Sequence, residues 1–321
     1  MYNTSIGKDI EKAKALLEAG ELVAIPTETV YGLAGNGLSE TAIEKIYAAK
    51  NRPQFNPLIL HVASIEQAER WVAEMPLSCK LLMNSFSPGP ITYLLPKSSL
   101  VPDLVTAGSS RVAIRIPNHP MTLDLLHRLD FPLAAPSANP SGYVSPVSAA
   151  HVLQGLTGKI PYILDGGNCS VGLESTIVGF ENNIVVIHRL GGITAEQIFQ
   201  VSGAEVKTVL SHASPTAPGQ LKSHYATSKP FYLGDIPALC QAFHDKKIGV
   251  LSFDKRSGQA VAEEILLSTA GSMEEAAEGL YAAMRALDCS DIDVIVAGRL
   301  PDAGIGRAIN DRLERAAYKN N

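Results

Sequence analysis

Charge is scarce in this 321-residue chain, and cationic charge scarcer: only 18% of residues are Asp, Glu, Lys or Arg, and the formal net charge is −5. Coating of nucleic acid through bulk charge is therefore disfavoured, while a local basic cleft stays open. Cysteine is sparse too. Cys79, Cys169, Cys240 and Cys289 are scattered, with no C-x-x-C and no metal-ligand spacing, the usage of reduced thiols in a cytoplasmic protein. No apolar run approaches the ~18 residues of a membrane span. The N-terminus lacks the basic, apolar and small-residue succession of a signal peptide. A soluble, cytoplasmic protein with no membrane partner is expected. G-x-S-x-G and H-E-x-x-H are absent and the eight histidines are dispersed, which disfavours an ordinary hydrolase or metalloenzyme. Two nucleotide motifs are near-misses. Gly167–Gly172 begins like a Walker A loop but continues with Leu173 and Glu174 instead of Lys and Ser/Thr. Gly304-x-Gly306 lacks the third glycine and the following acidic residue of a dinucleotide fingerprint.

What is present describes an α/β protein. At 46% hydrophobic residues the chain can build a sizeable core, and its length suits two domains. Helical spacing over "KDIEKAKALLEAG" ends on Gly20; "SETAIEKIYAAK" is a helix with Ser39 as N-cap; "SIEQAERWVAEM" and "TAEQIFQV" open with capping boxes at Ser64 and Thr194. "SPVSAAHVLQGL" places Pro146 in the first turn of a helix. Between them, "ELVAIPT", "PLILHVAS", "ITYLLP", "RVAIRIP", "PLAAPSAN", "YILDGG", "STIVGF" and "IVVIHRLG" read as strands. Several abut without room for a helix, so the sheet is expected to be twisted, open and mixed. This first domain is assigned residues 1–208. Residues 209–229, rich in Pro, Ser, Ala and Gly, read as a linker, and residues 230–321 as a smaller α/β domain.

Four segments cluster polar groups at strand ends, where α/β proteins place ligand contacts. "IPTETVYGLAG" carries two threonines, a glutamate and a tyrosine; periodicity alone favours a polar turn around a conformationally special Gly32. "AAPSANPSG" presents Ser137 and Asn139, and suits a plain turn as well. "LDGGNCSVGLESTIVGF" offers consecutive glycine N–H groups as an anion nest, or a simple connection. "RVAIRIPNHP" puts Arg111 and Arg115 on one face of a strand. Arg115, among apolar neighbours, requires an anionic partner, either internal or a bound carboxylate. Arg189 is a similar strand-end cation. Lys50 and Arg52, one residue apart between a helix and a strand, complete the set. Hydroxyls and cations without a nucleophile or metal cage fit a cleft for a phosphorylated small molecule.

The ordered series "PTETVYGL", "KNRPQFNPLILHV", "SAN", "DGG…GLESTIV" and "APGQLKSHYA" resembles the YrdC/YwlC family of L-threonylcarbamoyladenylate synthases in its two-domain form, over nearly the whole chain. The resemblance implies a twisted open sheet with a large basic cavity, a Rossmann-like C-terminal domain and a linker that covers the active site. It implies formation of threonylcarbamoyl-adenylate, pyrophosphate and water from L-threonine, bicarbonate and ATP. A partner complex then transfers the threonylcarbamoyl group to tRNA beside the anticodon. By the same resemblance Lys50, Arg52, Asn56, Ser137, Asn139, Ser145 and Arg189 contact ATP, and Tyr225 reaches over it from the linker. Lys50 and Arg52 stabilise charge on the phosphates. Thr29, His61, Arg115, Ala135 and Ser175 form the threonine pocket, and Arg111 takes a further nucleotide-side position. Thr227 stands where the family usually has proline after "HYA". Magnesium is expected to bridge ATP phosphate oxygens, with no protein ligand assigned. Two rival readings are an RNA-binding module, since related folds bind double-stranded RNA, and a carbamoyl-transfer domain like that of hydrogenase maturation factors.

Overall fold

The computed structural model describes residues 1–209 and 224–318. These form two compact units: residues 1–141, 146–170 and 174–209 in the first, and 142–145, 171–173 and 224–318 in the second. Most of the expected linker, residues 210–223, lies outside the described residues.

The first unit is built on β1 (Ser5–Gly7), β2 (Val23–Ile25), β3 (Gly32–Asn36), β4 (Ile59–His61), β5 (Ile91–Pro96), β6 (Arg111–Arg115), β7 (Leu133–Ala134), β8 (Tyr162–Leu164), β9 (Thr176–Glu181), β10 (Ile184–Arg189) and β11 (Val206–Thr208). They make one sheet in the order β1-β8-β2-β3-β7-β4-β6-β5-β9-β10-β11. Pairing is mixed, as the abutting strands imply: β2/β3, β3/β7, β4/β7, β5/β6 and β9/β10 are antiparallel, the others parallel. Helix Ile10–Glu18 buries Leu17 against Ile25, Leu133 and Leu164 on one face of the sheet. The second unit holds β12 (Phe231–Leu233), β13 (Ile248–Ser252), β14 (Glu263–Leu266) and β15 (Val294–Ala297) in an all-parallel sheet ordered β12-β15-β13-β14. Among the described residues no helix is long and apolar enough to cross a membrane.

The Thr194 capping box forms in full. At Ser64 only half does: Ser64 caps Gln67, but the Gln67 side chain accepts from Ala63 N–H, and the helix stops after Ile65–Glu69. Pro146 stands outside its helix. Ser148 caps Ala149–Leu156 instead, and the Pro146 carbonyl accepts from Tyr31 N–H at 2.9 Å. The strand expected over "PLAAPSAN" shrinks to two residues, because Pro136 has no N–H to continue a ladder. Gly32–Asn36 is a strand instead of a turn. Gly32 has no left-handed backbone; its missing side chain matters because a Cβ there would lie 3.2 Å from Ala135 Cβ. β14 has no clear sequence signal, since it begins with two glutamates. Glu264 is accommodated by Ser252 Oγ and Ser257 N–H, at 2.7 and 2.6 Å.

Candidate active site

Helix Glu40–Lys50, capped by Ser39, ends on Asn51 in the left-handed region (φ 53°), and Lys50 is its last residue. The Lys50 side chain is only 1% exposed. Its Nζ donates to the carbonyls of Ser137 and Asn139, each at 2.5 Å, and Ser141 N–H returns a bond to the Lys50 carbonyl. The helix end is thus stitched to the "SAN" loop. Among the described residues no carboxylate is a partner of this lysine. Burial, then the Arg52 and Lys159 charges, push the Lys50 pKa well below its ordinary value. A buried cation satisfied by carbonyls alone is costly to maintain. Arg52, also buried, donates to the carbonyls of Asn56 and Pro57 at 3.2 and 2.8 Å. Asn56 is fully buried, and neither atom of its side-chain amide has a partner among the described residues. Lys50 thus stands against Ser137 and Asn139, with the Arg52 charge near enough to act on it and the Asn56 backbone held by Arg52.

A second group stands where β4 and β6 end and β5 and β9 begin. His61 and Arg115 are register partners. Burial, then the Arg115 charge, lowers the His61 pKa to about 3, so the imidazole is neutral. Thr92 Oγ1 and Ser175 Oγ are 2.7 Å apart, and Arg189, at the end of β10, donates to the Ser175 carbonyl and hydroxyl at 3.0 and 2.9 Å. Arg115 is 4% exposed, and its anionic partner is internal: Nη2 lies 2.9 Å from Glu28 Oε1. Its Nε donates to the Gly89 carbonyl at 3.4 Å.

The "PTETVYG" segment ties the groups together. Thr27 Oγ1 lies 2.8 Å from Thr29 Oγ1 and accepts from Val30 N–H. Tyr31 O accepts from Ala138 N–H, Gly32 bridges to Ser137, and Ala135 N–H reaches the Ile59 carbonyl. Tyr31 Oη donates to the Gly167 carbonyl (2.7 Å) and accepts from Gly166 N–H (3.2 Å), while Gly167 N–H goes to Asp165. The glycine N–H groups expected to form an anion nest are therefore spent internally. Replacing Tyr31 with phenylalanine should lower unfolding stability by about 0.5–1.5 kcal/mol, the net worth of an ordinary hydrogen bond, because Gly166 is half-buried and Gly167 exposed and water can take the hydroxyl's place; denaturant titration reads this directly.

A family model described as "telomere recombination" (Sua5/YciO/YrdC) matches residues 15–191, and one described as "threonylcarbamoyl-AMP synthase, C-terminal domain" matches residues 193–318. The chain is 42% identical to the threonylcarbamoyl-AMP synthase of Bacillus subtilis, over 96% of this chain and 92% of that one. The chain belongs to the Sua5/YciO/YrdC family. A second member, the threonylcarbamoyl-AMP synthase of Pyrococcus abyssi, is 40% identical over 96% of this chain and 94% of that one. A solved structure of P. abyssi Sua5 complexed with L-threonine superposes with a TM-score of 0.91 at 37% identity, covering 99% of this chain and 98% of that one.

Of the residues picked out by family resemblance, Ser145 and Tyr225 belong to the second unit. There Arg285 donates to the Ser145 carbonyl, and Tyr225 stacks on Tyr281 with ring centroids 5.5 Å apart. Arg111 sits at the opposite end of β6 from Arg115, in an ion pair with Glu181 (3.1 Å). Sequence reasoning passed over Glu28 and Thr92. Glu28 lies inside a motif already singled out, but nothing in a linear pattern says which strand end its carboxylate meets.

Proposed function

We infer that this protein is a threonylcarbamoyl-AMP synthase acting in the cytosol, and that the two groups are the ATP and L-threonine halves of one site. The observation that carries the reading is Lys50: a buried cation beside Arg52 whose partners among the described residues are carbonyls and no carboxylate. Such an arrangement is stabilised by an incoming anion, and a nucleotide triphosphate supplies one.

In this reading Lys50 and Arg52 hold the phosphates, a point charge and a planar fork on the same group. The Asn56 amide, Ser137 and Asn139 fix the nucleotide around them, with Arg189, Ser145 and Tyr225 completing the ATP contacts of a basic cavity. Thr29, His61, Arg115, Ala135 and Ser175 receive threonine. Bicarbonate and the threonine amine combine into a carbamate whose oxygen attacks the α-phosphate, and pyrophosphate leaves. Because no protein nucleophile is needed, the enzyme acts by orienting reactants and neutralising phosphate charge. Magnesium bound with ATP would add to that neutralisation. Among the described residues no three or more His, Cys, Asp or Glu are placed to hold a metal ion; magnesium would come with the phosphate oxygens, and the Asn56 amide oxygen, unpartnered among the described residues, would be a protein donor for it. The product would pass to a complex that modifies tRNA.

Purified protein supplied with magnesium, ATP, L-threonine and bicarbonate is expected to release pyrophosphate and form threonylcarbamoyl-AMP. Omitting any one substrate should stop both. Pyrophosphate release that ignores threonine would overturn the assignment.

A further inference from the structure

Arg115 meets a carboxylate inside the protein, and that carboxylate has no role in the scheme above. Glu28 is 5% exposed. Its Oε2 accepts from Asn118 N–H at 3.0 Å, whereas Oε1 faces Arg115 Nη2 at 2.9 Å without an aligned hydrogen bond on either side. The contact is one of charge, with hydrogen-bonding capacity left over on both atoms. Glu28 also directly precedes Thr29. The other ionisable groups around it are His119, whose pKa burial lowers, and Cys169, whose thiol burial raises to about 12. Neither offers the negative charge that an ammonium needs: burial keeps the imidazole neutral and the thiol protonated, and the His61 imidazole is neutral as well.

Threonine reaches the site as a zwitterion. A pocket with arginine alone would bind the carboxylate and leave the ammonium facing an uncompensated cation. The Arg115–Glu28 pair can instead exchange its internal contact for two crossed ones, carboxylate on Arg115 and ammonium on Glu28, with no change in net charge. The ammonium must still lose a proton, because its nitrogen has no lone pair with which to attack bicarbonate.

We propose that Glu28 is a catalytic residue of this reaction: it binds the threonine ammonium and accepts its proton, freeing the amine for carbamate formation. The proton moves from nitrogen to a Glu28 carboxylate oxygen, giving the neutral amine and the carboxylic acid. The amine then forms an N–C bond to bicarbonate as a C–OH bond breaks, and the hydroxyl leaves with the second nitrogen proton as water. The proposal rests on the synthase reading, and its test separates the two.

In the full-length protein, Glu28→Gln keeps an oxygen for Asn118 N–H and removes the base. The variant must use threonine that is already unprotonated, on the order of a hundredth at pH 7, since the carboxylate of a free amino acid holds its ammonium pKa about a unit above that of a chain terminus. Turnover is therefore expected to fall on the order of 100-fold near pH 7 and to return to within about twofold of wild type by pH 9.5. Unchanged turnover, or a loss independent of pH, overturns the proposal. Should the variant not fold, calorimetry on the wild type decides. 3-Hydroxybutanoate, which keeps threonine's carboxylate and hydroxyl but lacks the amine, should bind at least about tenfold more weakly than threonine; equal affinity overturns the role of Glu28. A wild type inactive with threonine, bicarbonate and ATP defeats the synthase reading itself.

Discussion

Replacing Lys50 with methionine is expected to lower threonylcarbamoyl-AMP formation by roughly 100- to 1,000-fold, the loss typical of removing one preorganised charge-stabilising donor. Circular dichroism should be unchanged, since methionine fills the same buried stem. The wild type carries a further signature. Burial and the neighbouring cations hold the Lys50 pKa well below its ordinary value in the free protein, and a bound phosphate opposes that shift. ATP binding should therefore take up a proton wherever free Lys50 is partly neutral. The sign follows: affinity for ATP falls as pH rises through the pKa of Lys50 in the free protein, and is best below it. Calorimetry in buffers of different ionisation enthalpy measures the uptake, and Lys50→Met should abolish it. A methionine variant with wild-type turnover would remove Lys50 from the chemistry.

Arg115→Ala should damage both stability and threonine binding. The substitution leaves Glu28 buried without its cation, and breaking a buried pair from one side costs about 3–5 kcal/mol. Denaturant unfolding of the first unit reads that loss. Adding Glu28→Gln to Arg115→Ala should restore part of the stability, because the stranded charge disappears, yet none of the threonine affinity. Arg115→Lys keeps the charge but not the planar fork, so stability should survive better than threonine binding. If the double variant were no more stable than Arg115→Ala, the cost would lie in packing rather than in the Glu28 charge.

Much of the architecture is written locally. Ser39 and Thr194 cap helices where their spacing predicts, and the abutting strands made a mixed sheet necessary before any pairing was visible. Elements whose signal is tertiary escaped. β3 looks like a polar turn because its glycines are selected by close contacts such as Gly32 against Ala135. β14 is masked by two glutamates, of which Glu264 is compensated only by its tertiary neighbours. The candidate site shows the same division. Residue types at strand ends announced a polar cleft, and Arg115 announced its need for an anion. Choosing between an internal anion and a bound one depended on where two distant loops meet, and there the answer was Glu28.

Asn51 gives the Lys-x-Arg spacing its meaning. Its left-handed backbone closes the helix after Lys50 and starts the chain on a new course at Arg52. The two cations are thereby released from the 100° step of a continuing helix, so that one can serve the "SAN" loop and the other the Asn56 turn. The variable letter of the motif is consequently the most constrained in torsion: glycine or asparagine can stand there cheaply, whereas valine or isoleucine would have to abandon the left-handed well. A substitution bearing no charge and touching no ligand could in this way pull the two cations out of alignment, a lesion invisible to any inventory of contact residues.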